Sequence, residues 1–590
     1  MNRGSFVRKL VYIVIIAGLL IPLSYYSQPS VVDKNNQIVG GGKLARLRQE
    51  YEISESSLGE IDPTGETIKL ATLGLRGVAA NLLWHKAEQA KMKEDWDGLQ
   101  STLDQITKLE PHFITVWRYQ AWNVSYNISV EWDDYRDRYF WVKEGIKFLL
   151  RGFRYNDREP RVLYDVGWTT GQKMGTADEK VQYRRLFRED DDEEYPDHRL
   201  RPQNRRDNWL VGQEYFEKAI QLVEDRGASI RRQNPLVFFS EPAMCQIDYA
   251  IALEEDGIFE EKGKIAWTDA DSYWTKYGQR SIPTTFGIEI RLADFESLQQ
   301  QADELAVKLN ALAPGLRETM MEERRAKLTV EEREALALPK EKRTQEQMMM
   351  AFNATLKLNV PKNDFAQRVD ESKRAEADKI VDEATRLEER ASIIQRERDV
   401  VNFKYWQRRC QVEKTDDALE ARRLIYKADE QYRLTQLPEA RETYEQAFAH
   451  WRKVVDQFPE MANDTIGGTS IEEALKGYFD VLKQLDEPSF PKDFILLDMA
   501  RNMMLRNAIP VPPEFMPTIG EQPAGQPGKE DAGEKGEGET GQPASDAKPG
   551  EAAAEGEKSS GAPAKEGTPT DDAAKEVKDA DDQKAADQKN

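Results

Sequence analysis

The chain has 590 residues, with 106 acidic and 84 basic side chains and a formal net charge of −22. Such acidity repels phosphate backbones and argues against a nucleic-acid partner. Its two cysteines, Cys245 and Cys410, are too few for a disulfide framework and too far apart for a CxxC pair or a zinc ribbon. The four histidines form no paired or HExxH arrangement, so the sequence predicts no metal ion and no cofactor.

The N-terminus carries an apolar stretch at residues 10–26, LVYIVIIAGLLIPLSYY, which has no charge and follows three basic residues. Its length is at the short limit for a membrane-spanning helix. A cleaved signal peptide shares this pattern, but the absence of a small-residue cleavage site favours an uncleaved signal anchor. We expect residues 1–9 in the cytoplasm, one transmembrane helix at 10–26 and a tether at 27–66. The bulk of the chain is then expected outside the inner (cytoplasmic) membrane.

Apolar residues in segment 67–285 recur at intervals of three and four, which is the helical period. Small and bulky side chains alternate as they do in paired helices that pack closely. Four such pairs can be aligned, the last of them within 409–507. Their predicted packing residues are Ala87 in the first pair, Ala121, Gly145 and Gly152 in the second, Gly167, Gly212, Phe216 and Ala219 in the third, and Ala428, Ala440, Tyr444 and Ala447 in the fourth.

In this spacing the chain resembles the tetratricopeptide-repeat (TPR) family. The stretch LLWHKAEQAKMKEDWDGLQSTLDQITKLEPHFITVWRYQAWNVSYNIS is also similar to uncharacterised membrane-anchored helical-repeat proteins of Planctomycetes-type bacteria. The resemblance covers residues 74–257. It implies an all-α fold of TPR-like helical hairpins and a bacterial envelope location, and it implies no activity.

Nine aromatic residues fall between positions 117 and 141. Exposed rings line grooves that bind peptides or sugars, whereas buried rings at helical spacing pack one hairpin against the next. The sequence leaves both interpretations open. The candidate groove residues are Trp117, Tyr119, Trp122, Tyr126 and Trp132.

Segment 286–408 is rich in charged residues and carries apolar heptads, which predict long helices of the coiled-coil type. An antiparallel hairpin joined by residues 315–364 is one arrangement, and self-association through the same seam is the other. The connector contains the methionine runs 320–321 and 348–350. Methionine surfaces bind partner helices, and methionine also fills gaps in cores.

Segment 508–590 has few apolar residues and no aromatic residue beyond Phe515. A chain of this composition buries too little apolar surface to offset its conformational entropy. We therefore expect a disordered acidic tail.

No Walker A loop, GxSxG elbow or calcium-loop spacing is present, so the sequence predicts no enzyme. We expect a membrane-anchored scaffold that binds a protein or peptide partner. One alternative is an envelope glycan-binding protein, enzyme or enzyme accessory that uses the aromatic groove. The other is a structural spacer that associates with itself through the heptads.

Overall fold

The computed structural model leaves the predicted anchor apart from Gly18, most of the predicted tether and the predicted tail beyond Phe515 outside the described residues. The structure describes residues 76–93, 95–199, 201–284, 287–463, 467–487, 489–507, 509–512 and 515, together with positions 18, 31, 32, 38, 39 and 43.

The described part of the chain is all-α, with 78% helix and 1% strand. The main helices are α1 Arg76–Met92, α2 Trp96–Leu109, α3 Ile114–Trp122, α4 Tyr135–Tyr155, α5 Pro160–Trp168, α6 Lys180–Glu189, α7 Asn208–Arg226, α8 Pro235–Glu255, α9 Glu261–Gln279, α10 Phe295–Leu312, α11 Leu316–Arg325, α12 Val330–Ala337, α13 Gln345–Leu358, α14 Lys362–Arg368, α15 Glu371–Val400, α16 Phe403–Glu413, α17 Asp416–Arg433, α18 Leu437–Gln457, α19 Gly467–Gln484 and α20 Leu497–Arg506.

Shorter elements complete the described chain. Two π-helical segments, Asn123–Ile128 and Thr169–Lys173, continue α3 and α5. The strands are β1 Val31–Val32, β2 Ile38–Val39, β3 Ile282–Pro283 and β4 Glu289–Ile290. β1 pairs antiparallel with β2 inside the predicted tether, and β3 pairs antiparallel with β4. The remaining short helical turns are Ser129–Glu131, Met174–Thr176, Gln203–Arg205, Leu292–Asp294, Lys340–Lys342 and Pro459–Asn463.

Polar side chains fix where several helices begin. The Asp95 carboxylate accepts a hydrogen bond from the Gly98 amide at 3.0 Å, and Asp207 accepts from the Trp209 amide at 3.0 Å. Each bond satisfies an amide that has no partner within its helix. Helices α2 and α7 therefore start after acidic caps that the sequence itself supplies.

Helices α1 to α5 pack one against the next in chain order, and α5, α7, α8 and α9 continue the same series. Helix α6 lies beside α4 rather than in the series. After α9 the series continues with α16, because the Trp274 indole donates to the Phe403 carbonyl at 3.0 Å and Phe403 contacts the Gly278 position. Residues 280–402 thus form an excursion between two neighbouring helices.

The excursion is built on α10 and α15, which pack along each other in opposite directions. Lys373 Nζ donates to the Leu312 carbonyl at 2.9 Å, and Arg398 pairs with Glu296 at 2.7 Å at the other end. The predicted connector 315–364 contains helices α11 to α13 and the start of α14. Self-association of the chain through the apolar heptads of α10 and α15 stays a prediction, and so does the coiled-coil character of these two helices.

The C-terminal helices α17 and α18 form a closely packed hairpin, and α19 packs against α18. Their shared core contains the fully buried side chains Tyr444, Trp451 and Tyr478. Among the described residues one helix, α8, is long and apolar enough to cross a membrane. It lies within the protein core, where 89% of its most apolar window is buried.

Candidate functional site

Four aromatic rings follow one another across α1, α3 and the π-helical segment after α3. Ring centroids of Trp84 and Tyr119 are 5.4 Å apart, those of Tyr119 and Trp122 are 6.4 Å apart, and those of Trp122 and Tyr126 are 6.2 Å apart. We call these four residues the aromatic ladder. It combines three of the five predicted groove residues with Trp84, which the sequence pattern did not select.

The backbone of the ladder changes its hydrogen-bonding register between Trp122 and Tyr126. Residues Asn123–Ile128 form a π-helix, a rare element that occurs often at functional sites. The turn is held by the Asn127 amide, which donates to Asn123 Oδ1 at 2.8 Å. With this geometry the Trp122 and Tyr126 rings stack at an interplanar angle of 20°.

Exposure differs along the ladder. Trp122 is 48% exposed, which is unusual for a side chain of this size. Tyr126 is half-buried, and burial raises the pKa of its phenol to about 12, so this residue stays neutral. The ladder therefore offers an apolar edge centred on Trp122 with polar atoms beneath it.

Two lysines lie against ladder rings. Lys91 donates to the Tyr119 hydroxyl at 3.1 Å, and Lys173 Nζ lies 4.9 Å from the Tyr126 ring centroid. Burial lowers the pKa of Lys173. Positive charge over an aromatic face is favourable by about 0.5–1 kcal/mol at exposed sites. A ligand that carries carboxylates would meet complementary charge here.

Trp117 lies in the core and not in the ladder. Its indole donates to the Pro111 carbonyl at 2.8 Å, and its ring is 4.7 Å from that of Phe148. The backbone of Gly152 lies directly on the same ring. Trp117 therefore has the packing role that the sequence left open for the aromatic cluster.

Trp132 lies apart from the ladder and stacks on Trp141 with centroids 6.2 Å apart. Phe140 meets the edge of Trp141 at 5.5 Å. Trp132 is 43% exposed and Phe140 is 47% exposed. These rings form a second, smaller apolar patch at the start of α4.

The predicted packing residues of the second and third pairs lie at close helix crossings. A methyl group on Gly145 would lie 2.8 Å from the Ala121 carbonyl oxygen. A methyl group on Gly167 would lie 3.0 Å from the Gly212 carbonyl oxygen and 3.0 Å from the Phe216 ring. The remaining predicted packing residues are all buried: Ala87, Ala219, Ala428, Ala440, Tyr444 and Ala447.

Several buried polar groups of the helical core were not found from the sequence. Tyr164 donates to Glu241 Oε1 at 2.8 Å, and burial raises the pKa of this carboxyl to about 8. Gln120 and Asn123 are also buried, beside the exposed Trp122 in the chain. These polar residues could be recognised as buried only if the sequence showed which face of α3 or α8 is buried. Polar and apolar residues are mixed along both helices, so the sequence does not show this.

Several clefts lie elsewhere on the described surface. One of about 590 Å³ between α9, α17 and α18 is lined mainly by acidic residues, by Lys264 and Arg423, and by His450, whose Nδ1 lies 2.7 Å from Asp417 Oδ1. No serine, threonine or cysteine lies among its described lining residues. Both cysteines are buried, and burial raises the pKa of each thiol, so neither is a ready nucleophile. No cluster of metal-ligating side chains occurs in the described part of the chain.

Fold and site together define the class: an all-α protein that carries a partly exposed aromatic ladder on α1, α3 and the π-helical segment. No protein-family model and no curated protein matches the chain.

Proposed function

We propose that the chain is a membrane-anchored interaction scaffold of the bacterial envelope, built on TPR-like helical hairpins. Residues 10–26 would hold it in the inner membrane as a single-pass protein, with the bulk of the chain outside the cytoplasm. The observation that carries the binding role is the aromatic ladder centred on Trp122. This indole is 48% exposed, so core packing does not account for its position.

Close backbone crossings support the repeat architecture. Gly145 lies over Ala121, and Gly167 lies over Gly212, which are the pairs that the small-residue spacing selects. In repeat proteins each unit contacts its neighbours and together they present an extended binding surface. The chain-order packing of α1 to α5 supports the same architecture.

A protein or peptide segment is the favoured ligand of the ladder. Tyrosine and tryptophan supply large contact areas at a low cost in conformational entropy, and they dominate protein-binding surfaces. Lys91 and Lys173 add positive charge to the same surface. The favoured partner is therefore a segment that combines apolar or aromatic side chains with carboxylates.

Site-specific photocrosslinking in bacterial cells tests this proposal. A photoreactive phenylalanine analogue replaces Trp122 in the full chain, and a matched control replaces Val181, which is 63% exposed on α6 and lies outside the ladder. We expect a discrete protein adduct from position 122 that position 181 does not give. Equal adducts from both positions, or none from position 122, would contradict the scaffold role.

The glycan-binding alternative is favoured by one observation, the stacked pair of Trp132 and Trp141 outside the ladder. Sugar rings also pack on aromatic faces, and aromatic side chains line many small-molecule sites. The same experiment with the photoreactive residue at position 132 tests this alternative, and an adduct whose added mass is removed by glycosidases would identify a glycan as the ligand.

A further inference from the structure

Helix α13 carries its large apolar side chains on the outside and its small ones on the inside. The buried residues of its core-facing side include Ala351 and Ala354. A helix that faces water has the opposite pattern, with its larger apolar residues toward the core. The four large side chains, which we call the outer stripe, are Met348 at 50% exposure, Met349 at 64%, Phe352 at 47% and Leu356 at 56%.

The outer stripe does not fill a gap in this structure. Helix α13 packs against α12 and α11, and the exposure of the stripe places it away from both contacts. Met320 on α11 is buried and does fill a gap, so the two methionine runs of the connector serve different purposes. From Met348 to Leu356 the stripe extends ~12 Å along the helix.

The segment that carries the stripe has a net positive charge, in a chain that is strongly acidic overall. Residues 338–362 contain five basic and two acidic residues, against a net charge of −22 for the whole sequence. Two of the lysines, Lys357 and Lys362, pair with carboxylates of neighbouring helices. Arg343 instead donates to two backbone carbonyls, at 3.0 Å and 3.2 Å. Because carbonyl oxygens are neutral, these bonds orient the guanidinium and leave its charge in place.

We propose that the outer stripe inserts into the headgroup–acyl boundary of an anionic lipid bilayer. An apolar helical stripe with basic residues around it is the pattern of helices that lie in membrane interfaces. Each nearby lysine or arginine adds to the attraction toward an anionic leaflet. The acidic remainder of the surface is repelled, so this contact selects one orientation of the excursion.

The size of the stripe favours a bilayer over a protein partner or a second copy of the chain. A stable protein interface buries ~800 Å² and about 20–30 residues on each side. The stripe offers four side chains on one short helix. Insertion into lipid needs no complementary protein surface and is served by a few apolar side chains with basic neighbours.

Fluorescence of a single label in the full chain tests the proposal. Both natural cysteines are buried, so Met349→Cys provides one accessible thiol for an environment-sensitive fluorophore such as NBD. Glu383→Cys, at an exposed polar position of α15, is the matched control. Each protein is reconstituted into phosphatidylcholine vesicles with and without phosphatidylglycerol, and quenching by nitroxide-labelled lipids is measured.

We expect a blue-shifted emission and several-fold stronger lipid quenching at position 349 than at 383 in vesicles that contain phosphatidylglycerol. The double variant Lys340→Glu, Lys342→Glu should reduce this quenching several-fold. Equal quenching at 349 and 383 would overturn the proposal. A blue shift without lipid quenching would also overturn it and would indicate a protein contact. The aromatic ladder takes no part in this contact, so either proposal can fail alone.

Discussion

Gly145 lies where α4 crosses the π-helical segment, and its missing side chain sets how closely the two backbones approach. A Cβ atom there would lie 2.8 Å from the Ala121 carbonyl oxygen, closer than real Cβ contacts come. Ser125 Oγ of the π-helical segment would lie closer still, and the Ala121 carbonyl is backbone and cannot rotate away. Gly77, at the start of α1, has no atom within 4 Å of the equivalent position. Alanine should therefore have opposite effects at these two helical glycines.

Gly145→Ala is predicted to destabilise the protein by about 1–3 kcal/mol, because overpacking forces the two helices apart. Gly77→Ala should stabilise by up to about 1 kcal/mol, because alanine has the higher helix propensity and finds open space. Denaturant unfolding followed by tryptophan fluorescence measures both. Equal and small effects for the two substitutions would show that α4 does not cross as closely as described.

At the scale of secondary-structure elements, Arg422 joins three helices. Its guanidinium, on α17, pairs with Glu413 of α16 and lies 3.6 Å from Glu254 of α8. Glu413 is buried, and burial raises the pKa of Glu254. The ring of Trp451 lies 5.4 Å from the same guanidinium. This network links the N-terminal series of helices to the C-terminal hairpin.

Arg422→Ala is predicted to cost about 3–5 kcal/mol of stability, because it leaves two carboxylates buried without their cation. Arg423→Ala removes an exposed pair with Glu420 and should cost about 1 kcal/mol or less. Thermal and denaturant unfolding of both variants at neutral pH gives the comparison. Protonation neutralises the orphaned carboxylates, so the deficit of Arg422→Ala should shrink as the pH is lowered.

Sequence periodicity predicts elements well where one pattern extends over many residues. The heptads indicated the two long helices α10 and α15, and small-residue spacing selected Gly145 and Gly152, which lie at close contacts. The connector helices α11 to α14 were not predicted, because each is short and mixes charged with apolar residues. The π-helical segment was also missed, since a change of hydrogen-bonding register leaves no trace in the apolar period. Trp84 was missed as well, because the sequence does not show that α1 brings its ring next to that of Tyr119.

The whole molecule has a predicted orientation that a fusion can test. Basic residues before the apolar stretch 10–26 favour a cytoplasmic N-terminus and export of the chain beyond residue 26. Alkaline phosphatase, which is active outside the cytoplasm, fused after Asn507 should therefore be active. A fusion after Lys9 should be inactive. The reverse pattern would place the body of the chain in the cytoplasm.

The excursion between α9 and α16 has a consequence for how the chain is made. Trp274 and the carbonyl that its indole binds, that of Phe403, are 129 positions apart in the sequence. At ~5–20 residues per second, a ribosome needs on the order of ten seconds to add the intervening residues. During that interval the side of α9 that packs on Phe403, including Trp274, lacks its partner. The Trp274 indole therefore gains its hydrogen-bond acceptor only after the whole excursion has been synthesised.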